Sequence, residues 1–178
     1  MSNAIAVGFK SETFEIKSPK FPSNMHVPHY KAASADLLSG ASRVVDGELV
    51  LLDGGNVLKK VTSAMLDEMD NQALLYPARL QPGRSDVQMA GGFPIYRDTD
   101  FHAWTRLIDY NDIASYTPGT YLKAGVVTTP KAGTCGYVPA EPGDEYLAVV
   151  ETGATPFGEN QTWIEIHFRR GTIPAAAS

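Results

Sequence analysis

The sequence predicts a mainly β protein: a compact β-barrel or sandwich with one short helix and an extended N-terminal arm. Three observations carry this reading. First, 16 glycines and 12 prolines are spread over most of the 178 residues, and breakers at that density favour short strands and turns over long helices. Second, the apolar segments between them are short and close on turn residues, as in Asp46-Gly47 and Asp53-Gly54-Gly55. Third, Thr162 to Arg169 alternates cleanly. Ile164, Ile166 and Phe168 fall on one face, and Trp163, Glu165, His167 and Arg169 on the other, the period-two signature of a strand with one core face. The length suits one domain with appendages and can bury a core without staples.

Residues 1–35 read as the arm. Phe14, Ile16 and Phe21 are separated by polar residues and by Pro19, Pro22 and Pro28. Proline breaks a helix and removes a donor from a sheet, so an extended segment with apolar anchors is expected. Its reach is on the order of 100 Å, at roughly 3.3 Å per residue. A disordered tail is the alternative, although aromatic anchors are unusual in one. Residues 36–172 form the expected β-rich domain. Glu48–Leu52 and Val57–Val61, joined by Asp53-Gly54-Gly55, read as a hairpin. Thr62 is placed to cap a short helix to Asp70, with Met65, Leu66 and Met69 as its apolar stripe. Leu74–Leu80 is strand-like, Ser85–Met89 alternates weakly, and Phe101, Trp104, Leu107 and Ile108 suit a strand or a helical turn. Thr117-Pro118-Gly119-Thr120 suits a type II turn. Short strands follow at 121–122, 126–128 and 135–138, then the apolar run Tyr146–Val150 and the alternating strand. Ile173–Ser178 is a frayed tail.

Composition excludes several function classes. The apolar fraction is 43% and the charged fraction 20%, both ordinary for a globular chain. Net charge is −5 and the pI near 5.3, with no basic block, which argues against a nucleic-acid partner. No apolar run approaches the roughly 20 residues of a membrane span. Met1-Ser2-Asn3-Ala4 lacks the features of a secretory signal, and Asn160-Gln161-Thr162 is therefore not expected to be glycosylated.

No catalytic constellation emerges, and no enzyme activity or cofactor is expected. Cys135, the single cysteine, lies in a strand-like segment with no base beside it in sequence, so a buried structural thiol is expected. His26 and His29 could hold a metal only with a third ligand, and Pro28 opposes the helix that would align them. Asp67, Glu68, Asp70, Asp98 and Asp100 lack a calcium-loop spacing and read as solvated faces and caps. Asp53-Gly54-Gly55-Asn56 with Lys59-Lys60 lacks the G-K-[ST] of a phosphate loop, leaving a hairpin turn. Trp163, on the non-core face of its strand, reads either as a contact residue or as packed beneath a neighbouring loop. Trp104, Trp163 and Tyr96 together motivate a carbohydrate-binding alternative.

The order of segments is similar to something more specific. Val45-Asp46-Gly47-Glu48-Leu49-Val50-Leu51-Leu52-Asp53-Gly54-Gly55 leads into Val57-Leu58-Lys59-Lys60. Leu75-Tyr76-Pro77-Ala78-Arg79 follows, then Gly83-Arg84-Ser85-Asp86-Val87-Gln88. Tyr116-Thr117-Pro118-Gly119-Thr120-Tyr121-Leu122 and Gly136-Tyr137-Val138 complete the set. From about Val44 to Phe168 this order resembles the head decoration, or capsid cement, proteins of tailed bacteriophages. The N-terminal arm and the Phe157-Gly158-Glu159-Asn160 loop have no counterpart in that pattern. The resemblance implies a compact β domain, without catalytic residues, that sits as a dimer or trimer on the outer surface of the virion head and bridges major capsid protein subunits. On it, Phe14, Ile16, Phe21 and Tyr30 would be the arm's anchors, with Trp163 a further contact to capsid or to another copy. A tail or baseplate component is the nearest alternative.

Overall fold

The computed structural model describes residues 12–18, 30–39, 42–69, 72–80, 92–97, 100–128, 131–157 and 161–175. The protein is mainly β, built from two sheets, one of them curled into a half-barrel. The strands are β1 (Phe14–Ser18), β2 (Tyr30–Ala32), β3 (Leu49–Leu52), β4 (Val57–Lys60), β5 (Leu75–Pro77), β6 (Gly92–Phe93) and β7 (Phe101–Thr105). Then come β8 (Tyr121–Val127), β9 (Thr134–Pro139), β10 (Glu145–Pro156) and β11 (Thr162–Thr172). The large sheet has the order β1-β7-β11-β10-β8-β9 and the small one β5-β3-β4-β2-β6.

The curl of the large sheet is closed by a seam. Just beyond β7, Ile108 forms a parallel bridge to Tyr137 of β9, and the Tyr137 N–H donates to Leu107 O at 2.8 Å. That brings the far edge of the sheet back to its other side. Closure needs the glycine at 136, because a Cβ there would lie 2.3 Å from Leu107 O. Tyr116, fully buried, locks the seam: its hydroxyl donates to Tyr137 O and accepts from the Asp109 N–H, both at 2.8 Å. Leu107, Ile108, Leu122, Tyr137, Leu147, Ile164, Ile166 and Phe168 fill the interior.

Within the small sheet, β3 is covered on both faces. Leu49 and Leu51 turn to the barrel core, while Val50 and Leu52 join Tyr30, Leu37, Leu38, Val44, Leu58 and Phe93 in a second cluster. This is why β3 is an unbroken apolar run rather than an alternating one. The expected hairpin is β3 and β4, with Leu51 opposite Lys59. Asp53 Oδ1 accepts from the N–H groups of Gly55 and Val57 at 2.9 Å, so the stretch that faintly resembled a phosphate loop is a self-capped turn. These bonds hold the Asp53 carboxyl below its usual range, helped by Lys59.

The expected helix is α2 (Ser63–Glu68), capped by Thr62, whose hydroxyl accepts from the Met65 N–H at 3.3 Å. Met65, Leu66 and Met69 pack on the barrel core. A second short helix, α1 (Asp36–Ser39), was not expected from the sequence. It covers the small sheet with Leu37 and Leu38 and is too short to show a periodic stripe. The segments at 121–122 and 126–128 belong to one strand, β8. Gly119 has φ +91° and the Thr120 N–H donates to Thr117 O at 3.0 Å, as a type II turn requires. Residue 173 is still paired, with its N–H donating to Asp144 O at 2.9 Å.

The described parts of residues 1–35 correct the arm reading. β1 pairs antiparallel with β7, Phe14 opposite Thr105, and Phe14 is 1% exposed. Its ring sits over the Asp46-Gly47 turn, where a Cβ on Gly47 would lie 2.3 Å away. Thr13 Oγ1 donates to Asp46 O at 2.6 Å. β2 runs parallel to β4, with Ala32 opposite Leu58. Both strands belong to the body, because their apolar side chains are covered by this chain's own sheets.

Candidate functional site

Phe14, Tyr30 and Trp163 are buried and Ile16 is partly buried against the barrel core, so the chain's own body covers most of their apolar surface. Trp163 is 0% exposed although it points away from the Ile164–Ile166–Phe168 face. Arg106, in the connection after β7, places its guanidinium 6.0 Å from the centre of the indole ring. Packing beneath a neighbouring segment is therefore the reading that holds. Phe21, His26, His29, Asp70, Ser85–Met89, Asp98 and Asn160 lie outside the described residues. Tyr96 is buried, and Trp104 meets Phe157 edge-on at 5.4 Å, so the three aromatics do not form one open platform.

Cys135 is fully buried. Burial, reinforced by the nearby Glu48 carboxylate, pushes its thiol up to about 12. A thiol held protonated is no nucleophile. Glu48, also fully enclosed, joins the two sheets. Its oxygens accept from the Val45 N–H at 2.9 Å and the Cys135 N–H at 3.4 Å, and Lys60 Nζ lies 3.1 Å away. Desolvation outweighs these partners and leaves the carboxyl above its usual range.

The polar face of the large sheet carries a grouping that the sequence pattern does not display. β7 and β11 run antiparallel with His102 directly opposite His167. Their rings stack at 4.3 Å with 13° between planes. Glu151 of β10 reaches the pair: its Oε2 lies 2.6 Å from His102 Nδ1. Asp100 Oδ1 lies 2.5 Å from His167 Nε2, which holds the Asp100 carboxyl below its usual range. Beside them, Glu165 is nearly buried and takes Lys17 and the Thr152 hydroxyl. Burial pushes Glu165 up, but those two hydrogen bonds together hold it below its usual range.

A register irregularity positions Glu151. Val150 pairs with Ile166 but Thr152 pairs with Glu165, so Glu151 is an extra residue in β10. Such a bulge re-aims a side chain. Two histidines 65 residues apart in sequence meet only because β7 and β11 are neighbours, a pairing that no local pattern encodes.

An open groove of about 480 Å³ lies between α2 and the β8–β9 hairpin, lined by Leu66, Met69, Gln72, Lys123, Val126 and Val138 among others. Lys123 is paired with Asp144 across it at 2.7 Å. No helix among the described residues is long and apolar enough to cross a membrane. Set against protein-family models, curated proteins and solved structures, the chain finds no match.

Proposed function

We propose that this chain is a capsid decoration protein of a tailed bacteriophage, binding the outer surface of the head and bridging major capsid protein subunits. The observation that carries the reading is how the segments of the resemblance fit together. The Gly47 N–H donates to Ala78 O, and the Ala78 N–H to Glu48 O, both at 2.8 Å. The Glu48 carboxylate accepts from Cys135 next to Gly136-Tyr137-Val138, and Tyr116 bonds Tyr137. Segments far apart in sequence thus form one hydrogen-bonded frame, as expected of a motif set that specifies a fold. The Gly83–Gln88 segment lies outside the described residues.

The role fits such a frame physically. A protein that binds only the assembled shell stabilises it by mass action, and many copies acting together turn modest contacts into a large total. The contact residues would come from surfaces other than Phe14, Ile16, Tyr30 and Trp163. Mixing the purified chain with bare expanded heads and pelleting them tests the proposal: the protein should co-sediment at micromolar concentration, and a protein left in the supernatant would overturn it. Electron microscopy of labelled virions separates head from tail or baseplate.

A further inference from the structure

We infer that His102, His167 and Glu151 form a binding site for a divalent transition ion of the zinc type on the polar face of the large sheet. Each of three adjacent strands, β7, β11 and β10, supplies one side chain. One ligand atom from each lies within 4.8 Å of the other two. Metal bonds of roughly 2.0–2.2 Å span ligand atoms up to roughly 4 Å apart, so the two stacked rings must turn and the ligand atoms draw slightly closer to share one ion.

The ligand set selects the ion. Two imidazoles and one carboxylate suit zinc and its first-row neighbours and are poor for magnesium or calcium, which prefer oxygen. Three protein ligands leave a coordination position for water or for a group from another molecule. The exposure agrees: the side chains of His102, Glu151 and His167 are 35%, 34% and 22% exposed, open enough for an ion to enter.

Two further features favour a built site over a chance surface grouping. Asp100 engages Nε2 of His167 and leaves Nδ1 to the ion, the carboxylate–histidine arrangement that orients a metal-binding ring. The bulge at Glu151 brings its carboxylate to the imidazoles. Glu165, the other nearby carboxylate, is occupied by Lys17 and Thr152 and serves as a wall.

The test uses the full chain after chelator treatment. Calorimetric titration with zinc chloride should show one equivalent binding, and cobalt(II) should give a visible absorption band. His102→Ala and His167→Ala should each weaken zinc binding more than about 100-fold, since loss of an outer partner alone costs 10–100-fold. By the same measure Asp100→Asn should weaken it about tenfold. Circular dichroism in chelator checks the fold of each variant. The unaltered chain gives a second readout, because zinc should shift the imidazole nitrogen resonances of His102 and His167. No binding at about 100 μM zinc, far above any useful site affinity, would overturn the proposal. So would undiminished binding by His102→Ala/His167→Ala, or zinc-induced shifts confined to His26 and His29.

Discussion

Single residues in this protein carry unequal electrostatic loads, and Glu48 is a fully buried carboxyl among them. Its carboxyl is raised in the folded state by desolvation, so the folded protein holds that proton more tightly than the unfolded chain does. Its contribution to stability is therefore present below the ordinary carboxylate range and is lost as pH rises through the raised value. Denaturant titrations should show stability falling as pH rises from the ordinary carboxylate range through the raised value, a slope that Glu48→Gln removes. Glu48→Ala is a different matter. It leaves Lys60 and two backbone N–H groups without their buried acceptor, and should cost about 3–5 kcal/mol by urea unfolding. Tyr137 makes the opposite case. Its side chain is fully buried, and among the described residues its hydroxyl has no hydrogen-bond partner. Tyr137→Phe should be neutral or stabilise by about 1 kcal/mol, and a loss of more than that would reveal a partner. At this scale the sequence speaks through residue type alone. It puts Trp163 on the face opposite Ile164, Ile166 and Phe168, but does not show that Arg106 lies over it or that it is fully buried.

Elements were legible where their signals are local. The β3–β4 hairpin declares itself through its Asp-Gly-Gly turn, α2 through Thr62 and the Met65–Leu66–Met69 stripe, and β11 through strict alternation. β1 and β2 were not, because Pro19, Pro22 and Pro28 dominate the reading of residues 1–35, whereas β1 ends before the first and β2 begins after the last. What makes β1 a strand is β7, which no local pattern announces. Phe14→Ala should therefore cost about 3–5 kcal/mol, as for a core aromatic, measured by urea unfolding. A loss below about 1 kcal/mol would restore the arm reading. The seam makes a comparable demand: Gly136→Ala forces a methyl against Leu107 O and should destabilise by about 1–3 kcal/mol, whereas Gly133→Ala, whose added methyl meets no atom, should lose mainly through its positive φ.

For the whole molecule, the two-sheet body would, on the capsid reading proposed above, serve as a binding surface. Light scattering of the free protein should show the dimer or trimer that the capsid reading expects. The imidazole–carboxylate grouping was illegible at every smaller scale, since it exists only once three strands are side by side. The same holds for β1, and there the topology has a consequence in time. Phe14 leaves the ribosome well before its partner Thr105 in β7, which follows 91 residues later. At roughly 5–20 residues per second, β1 waits about 5–18 seconds with its aromatic ring unburied. A fold assembled from such distant pairings is also slow to form once complete. Until β7 emerges, β1 displays an unpaired edge and an unburied aromatic ring that a chaperone, or a second nascent copy, would recognise.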